Sequence, residues 1–246
     1  MDAPHAQSQF PVTRWTAVVQ VCQAEDDRAR REALAGICQD YWYPLYAFAR
    51  RLGHTQPDAE DLTQEFFSYL LENNVLARAS RELGRLRTFL LTVFQRHIGD
   101  AVDRRRAQKR GGRHEFVSLD LLGAEELYRH EPADLDTPER LFERSWARHI
   151  LRSALDSLRK SEAAKGNGPA FEILAPFLDP ESTANARTGL AADQLGLSVE
   201  AVRQAISRLR RRFRDALRLQ IAGTLQNPAE RHIDEELTSL HAALQS

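Results

Sequence analysis

The spacing of apolar residues between Leu190 and Arg214, LAADQLGLSVEAVRQAISRLRRRFR, leaves few folds open to that stretch. Val202, Ile206, Leu209 and Phe213 recur at three- and four-residue intervals, so at about 100° per residue they share one helix face. Ahead of them Leu190, Ala191 and Leu195 form a shorter apolar stripe. Gly196 then supplies a tight turn that a residue without Cβ takes cheaply, and Ser198 stands where a hydroxyl can cap the first free amides of the next helix. Two helices joined in this way make a helix-turn-helix. On the opposite face of the second helix fall Glu200, Gln204, Ser207, Arg208 and Arg211, with Arg203 and Arg210 on its flank. The early polar positions are where a recognition helix reaches base edges, and the later arginines are where phosphates lie. From Arg203 to Arg218 seven arginines face one acid, Asp215. A solvated amphipathic helix needs no such excess, so the pattern points to DNA.

The charge of the rest of the chain is sorted into blocks. The net charge is only −1, yet Gln56 to Val75 holds five acids and no base. Arg81 to Arg113 holds ten bases against three acids, and Glu115 to Glu143 holds nine acids against Arg129 and Arg140. Two basic surfaces separated by acidic segments suit a protein that grips DNA at two places and offers an acidic face to another partner. The content of 42% hydrophobic residues in 246 is enough for real cores and excludes a disordered chain. No run approaches the roughly 18 apolar residues of a membrane span, and the first residues, MDAPHAQSQFPVTRW, lack the basic start and apolar core of a signal peptide. The expected location is the cytoplasm, with no membrane contact. Cys22 and Cys38 form no CxxC pair and have no histidine at ligand spacing, so reduced thiols are expected, with neither metal nor cofactor.

Helical periodicity dominates from Trp15 to Leu219 and no stretch alternates long enough for a sheet, so the fold class is all-α. Breaks are expected at Gly53 to Pro57, Asn73 to Gly84, Gly111 to Pro138, Gly166 to Pro169 and Asp179 to Asn185. The predicted organisation is two helical domains joined by an acidic linker. Residues 1–32 form an extension with a first helix, 33–113 a helical domain, 114–137 the linker, 138–226 the helix-turn-helix domain and 227–246 a tail.

In the first domain Pro57-Asp58-Ala59-Glu60-Asp61 reads as a helix start with Asp58 as N-cap. Leu62, Phe66, Tyr69 and Leu70 make its buried stripe. The face turned away carries Asp61, Gln64, Ser68 and Glu72, with Glu60 and Glu65 beside them and Phe67 and Leu71 at its margin, which suits docking of a basic partner as well as simple solvation. In the next helix, Leu86 to Arg106, the residues Leu86, Phe89, Leu90, Val93, Phe94 and Ala101 point inward, and His97 reads as a packed polar residue. Arg104, Arg105, Arg106, Lys109 and Arg110 crowd its far end. So many cations in seven residues fit a phosphate-binding end better than a solvated helix terminus.

Taken together, the two halves resemble a bacterial RNA polymerase sigma factor of the sigma-70 family, in its extracytoplasmic-function group. Ala59-Glu60-Asp61-Leu62-Thr63-Gln64-Glu65-Phe66 resembles the family's AEDLxQExF segment in region two. The resemblance implies that Asp61, Gln64 and Glu65, with Phe67 at their edge, contact the clamp helices of the largest polymerase subunit. The helix from Leu86 resembles the segment that reads and melts the minus-ten promoter element, which places Arg87, Arg96, Asp100, Arg104, Arg105 and Arg106 toward DNA. The preceding loop, Asn74 to Arg85, corresponds to the one that captures a flipped base. The helix-turn-helix resembles region four, with Ser198, Glu200, Arg203, Gln204, Ser207, Arg208 and Arg211 toward the minus-thirty-five element. The likeness covers about Ala33 to Arg110 and Pro138 to Leu219. Three features depart from a minimal member: the segment KSEAAKGNGPAFEILAPFLDPE, a first helix NARTGLAADQLG without the usual aromatic and acidic residues, and an acidic tail from Asn227 to Ser246.

The resemblance implies a non-enzymatic specificity subunit whose partners are core RNA polymerase and promoter DNA. A stand-alone helix-turn-helix regulator is the alternative, but it would need a dimer surface and leaves the acidic face without a use. An enzyme with Glu60, Asp61 and Glu65 as metal-binding carboxylates is disfavoured, because those side chains splay over more than half of the helix circumference. Either an anti-sigma factor or the chain's own linker and tail would restrain such a subunit. The acidic segments are expected to cover the cationic helix of the second domain in the free protein.

Overall fold

The computed structural model describes residues 27–73, 75–76, 85–107, 121–131, 137–179, 184–225 and 228–245. Among them the chain is helical, with α1 (Asp27–Arg51), α2 (Gln56–Glu72), α3 (Leu86–Ala107), α4 (Leu121–Arg129), α5 (Pro138–Ala164), α6 (Gly168–Leu174), a 3-10 turn (Ala175–Leu178), α7 (Ala184–Leu195), α8 (Val199–Gly223) and α9 (Glu230–Gln245). No strand occurs among the described residues; the only extended pairing among them is a bridge between Arg85 and Leu225. The all-α reading is therefore correct.

Two compact units result. One comprises the described residues up to Ala147 together with those from Ala222 onward, and the other is Arg148–Ile221. The expected boundary at Pro138 differs, because the first turns of α5 bury Leu141, Phe142 and Trp146 in the first unit.

In the first unit α1, α2 and α3 pack on one another through a ring cluster. Phe66 of α2 meets Phe94 of α3 edge-on at 5.0 Å, and Phe48 of α1 lies 6.2 Å from Phe94. All three are essentially fully buried, each stabilising the unit by about 1.5–3 kcal/mol. His97 is buried beside Phe66 and Tyr69, a packed residue as its position predicts. The start of α2 lies earlier than expected. Thr55, not Asp58, is the N-cap, because its hydroxyl accepts from the Asp58 amide and donates to the Asp58 carboxylate at 2.7 Å.

Part of the stretch read as a linker is folded. Glu125 of α4 accepts from Arg50 Nε at 3.1 Å and Nη2 at 3.0 Å and from the Tyr46 hydroxyl, while the Arg50 guanidinium lies 4.9 Å from the Tyr128 ring centre. Burial pushes the Glu125 carboxyl up, but the hydrogen bonds from Arg50 and Tyr46 outweigh it and hold the group below the usual carboxylate range. The Tyr46 phenol is pushed up by burial and by that carboxylate. An acid in this segment thus ties α4 to α1 instead of remaining in solvent. Cys38 is free, and burial raises its thiol to about 12, so it is held as a neutral thiol.

The second unit forms around Leu158, Phe171, Leu174, Phe177, Ala191, Ala192, Val202, Ile206 and Leu209. Three of these, Phe171, Leu174 and Phe177, come from the segment that departs from a minimal family member. Its role is structural, and it supplies the floor on which α8 lies. Glu162, buried near the end of α5, accepts from Asn167 at 3.1 Å, Lys165 at 3.3 Å and Arg212 of α8 at 2.9 Å. Burial again opposes its charge, and these donors overcome it, so its carboxyl also lies below the ordinary range. Arg210 donates to the Phe177 carbonyl from two nitrogens, at 3.1 and 3.0 Å. Gly196 takes φ +63°, and the Ser198 hydroxyl accepts from the Ala201 amide at 3.2 Å, as the turn requires. Leu190, expected in the apolar stripe, is 64% exposed; Thr188, Ala191 and Ala192 fill the face instead.

Candidate nucleic-acid interface

Each unit presents its own surface. On α8 the residues Glu200, Arg203, Gln204, Ser207, Arg208 and Arg211 are all exposed, as is Ser198 before it. Val202, Ile206 and Leu209 are buried on the other side, which fixes the rotation of the helix and hence the outward direction of the polar residues. Arg203 and Glu200 form an exposed pair at 3.7 Å, worth at most about 1 kcal/mol and easily exchanged for a phosphate or a base. Arg208 and Arg211 have no hydrogen bond or ion pair among the described residues. The arginines of α8 thus divide by role. Arg210 and Arg212 hold the helix to the Phe177 carbonyl and to Glu162, whereas Arg203, Arg208 and Arg211 are presented outward. Sequence spacing placed Arg210 on the flank and gave no sign that it and Arg212 are internal ties. Their partners lie 33 and 50 residues away, so only the folded unit reveals them.

On α2 Asp61 and Glu65 are exposed and Gln64 is half-buried, forming one acidic strip with Glu72. Phe67 does not belong to it. It is 4% exposed and lies 5.7 Å from the Phe66 ring, so its placement at the margin of a docking face is corrected: a ring at that angle is covered by the core. On α3 Arg96 and Asp100 are exposed. Arg104, Arg105 and Arg106 lie on the last turns of α3, with side chains outside the described part; Lys109, Arg110 and most of the loop from Asn74 to Arg85 are outside the described residues altogether.

Arg87, expected to face DNA, is the second correction. It is 4% exposed and held in an ion cluster. Its Nε donates to Glu143 of α5 at 2.8 Å, Nη1 to the fully buried Glu236 of α9, and Nη2 to the Ser239 hydroxyl at 3.4 Å. The guanidinium carbon lies 4.2 Å from the Trp146 ring centre. Burial opposes its charge, but Glu143 and Glu236 hold the guanidinium above its ordinary value. Arg85 reaches the second oxygen of Glu236 in an ion-pair contact that lacks hydrogen-bond geometry. Sequence reasoning missed Glu236 because a single acid among exposed tail residues carries no local signal.

Among the described residues no group of three or more His, Cys, Asp or Glu could hold a metal ion, and no helix is long and apolar enough to cross a membrane. The arrangement offers an acidic strip on one unit and a guanidinium-rich helix face, with the polar start of a recognition helix, on the other.

The comparisons with known proteins agree with this class. The chain is similar to the ECF RNA polymerase sigma factor SigE of Mycolicibacterium smegmatis, with 28% identity over 207 residues, covering 84% of this chain and 70% of that protein. No protein-family model matches the chain, and no solved structure does. Similarity over that length and the all-helical architecture both support the likeness to the sigma-70 family.

Proposed function

We propose that this chain binds core RNA polymerase through the acidic strip Asp61, Gln64 and Glu65 and directs the enzyme to promoters through two separate DNA contacts. The observation that carries the reading is the outward presentation of Arg203, Gln204, Ser207, Arg208 and Arg211 on a helix whose inward face is fixed by Val202, Ile206 and Leu209. In this reading the first turns of α8 meet base edges of the minus-thirty-five element and its later arginines meet phosphates. Arg96, Asp100 and the cationic end of α3 face the minus-ten element, where strand opening begins. The polymerase performs the chemistry, and the chain itself is not a catalyst. Two weak DNA modules on one subunit gain affinity once the polymerase holds both, because the second contact becomes intramolecular. The chain alone therefore binds promoters poorly, and it acts in the cytoplasm where the polymerase is. The test is run-off transcription from genomic fragments by core polymerase with and without the purified chain. Fragment-specific transcripts that depend on the chain are expected, and their absence refutes the reading.

A further inference from the structure

The tail helix α9 buries three residues, Ile233, Glu236 and Leu240, along one face. One of the three is a carboxylate, and it is the most deeply buried, at 0% exposure. Its two oxygens meet Arg85, at the entrance to α3, and Arg87, in the first turn of α3. A second link lies just upstream, where Leu225 bridges to the backbone of Arg85. A helix kept only for stability would do as well or better with an apolar residue at position 236, since a buried ion pair returns little beyond its desolvation cost. Ile233 and Leu240 flank Glu236 on the buried face, so the charges of Arg85 and Arg87 meet α9 at the middle of its contact. Those two guanidiniums sit at the start of the helix whose exposed residues the proposed function directs to DNA, and a nucleic-acid phosphate presents the same ligand to them as the Glu236 carboxylate does.

We propose that α9 is an internal competitor of promoter DNA. Its Glu236 carboxylate occupies Arg85 and Arg87 in the free chain, and a DNA phosphate replaces it when the promoter is engaged. This inference rests on the sigma-factor reading of α3. Release of α9 leaves Arg87 beside Glu143 alone and Arg85, already 41% exposed, open to solvent. The device differs from simple charge masking by an acidic tail, because it depends on one buried carboxylate at a defined position and not on the net charge of the segment. If the docked form holds about nine-tenths of the molecules, freeing the helix raises apparent promoter affinity about tenfold.

The test uses the full chain assembled with core polymerase and the genomic fragment it transcribes most strongly. Hydrogen exchange over residues 230–245 is followed before and after the fragment is added. Loss of protection on adding DNA is expected, and unchanged or increased protection overturns the proposal without any substitution being made. In parallel, Glu236→Gln, which keeps the shape and removes the charge, is expected to raise promoter affinity about tenfold. Leu240→Ala, which loosens the helix without touching Arg85 or Arg87, is expected to act in the same direction. Affinities equal to the unsubstituted chain in both variants overturn the proposal while run-off transcription continues, so the sigma-factor reading survives. Failure of the unsubstituted chain to support any transcript overturns both.

Discussion

Replacing Arg87 by alanine measures how far the buried ion cluster holds α9 to the first unit in the free chain. In the folded chain Arg87 is 4% exposed, donates to Glu143 and Glu236, and covers Trp146. Truncation leaves Glu236 at zero exposure without one of its two cations, and breaking such a pair costs about 3–5 kcal/mol. Release of α9, which a docked fraction of about nine-tenths puts at about 1.3 kcal/mol, caps that cost, while stripping the guanidinium from the Trp146 ring adds about 0.5–2 kcal/mol. The expected destabilisation is about 2–3 kcal/mol in the first unit. With a urea slope of about 2 kcal/mol/M, the midpoint falls by about 1–1.5 M. Equilibrium urea unfolding followed by tryptophan fluorescence reads this directly, because Trp42 and Trp146 both lie in the first unit. Arg96→Ala is the internal comparison: its side chain is exposed, so stability should move by no more than about 0.5 kcal/mol. Substituting both members, Arg87→Met with Glu236→Met, removes the uncompensated charge and should recover most of the stability. If Arg87→Ala and Arg96→Ala unfold at the same urea concentration, the buried ion cluster does not hold α9 to the first unit and the reasoning fails.

Charge reversal Asp61→Lys with Gln64→Ala should weaken binding to core polymerase while changing stability by no more than about 0.5 kcal/mol, and unchanged co-purification would remove the docking assignment. Arg203→Ala or Gln204→Ala should alter preference at one or two upstream base pairs by about 1–3 kcal/mol, whereas Arg211→Ala should weaken all sequences alike; selection from a randomised site that returns one preference for all three would contradict this division. Neutralising Arg104, Arg105 and Arg106 together should reduce open-complex formation and flatten its salt dependence, by roughly 0.9 in the log–log slope for each duplex phosphate that is no longer neutralised; permanganate reactivity at the unsubstituted level would make them a solvated helix end. Glu125 has a lowered folded-state carboxyl value, so its contribution is complete above the unfolded value of about 4.3 and is lost as pH falls through the lower folded one. Acid titration of the fluorescence of Trp42, stacked on Tyr46 at 5.1 Å, should therefore show a step that Glu125→Gln lacks, and superimposable curves would refute it.

The helices whose apolar residues repeat at helical spacing were legible in the sequence. Period alone set the inward faces of α3 and α8, and a glycine followed by a serine marked the turn between α7 and α8. Those signals are local, because one helix face needs only neighbouring residues to define it. The outward set on α8 followed from the same period. Whether a charged residue at the edge of a face is free or tied depends instead on what stands opposite, and no local pattern carries that. Arg87 and Glu236 are separated by 149 positions, Arg50 and Glu125 by 75, and Arg212 and Glu162 by 50. In each case a charge that reads as solvated is held against a partner the chain brings back from far away. Phe67 shows the apolar counterpart, a ring at the margin of the helical wheel that the tertiary core covers. The sequence by itself determined the helices with a clear apolar period, such as α2, α3 and α8, and which way they turn, whereas α4 and α9 lie in stretches that read as linker and tail. Only the folded chain decided which arginines are tied to a partner, because cancelling a charge takes a second charge at close range, and closeness in space is a property of packing.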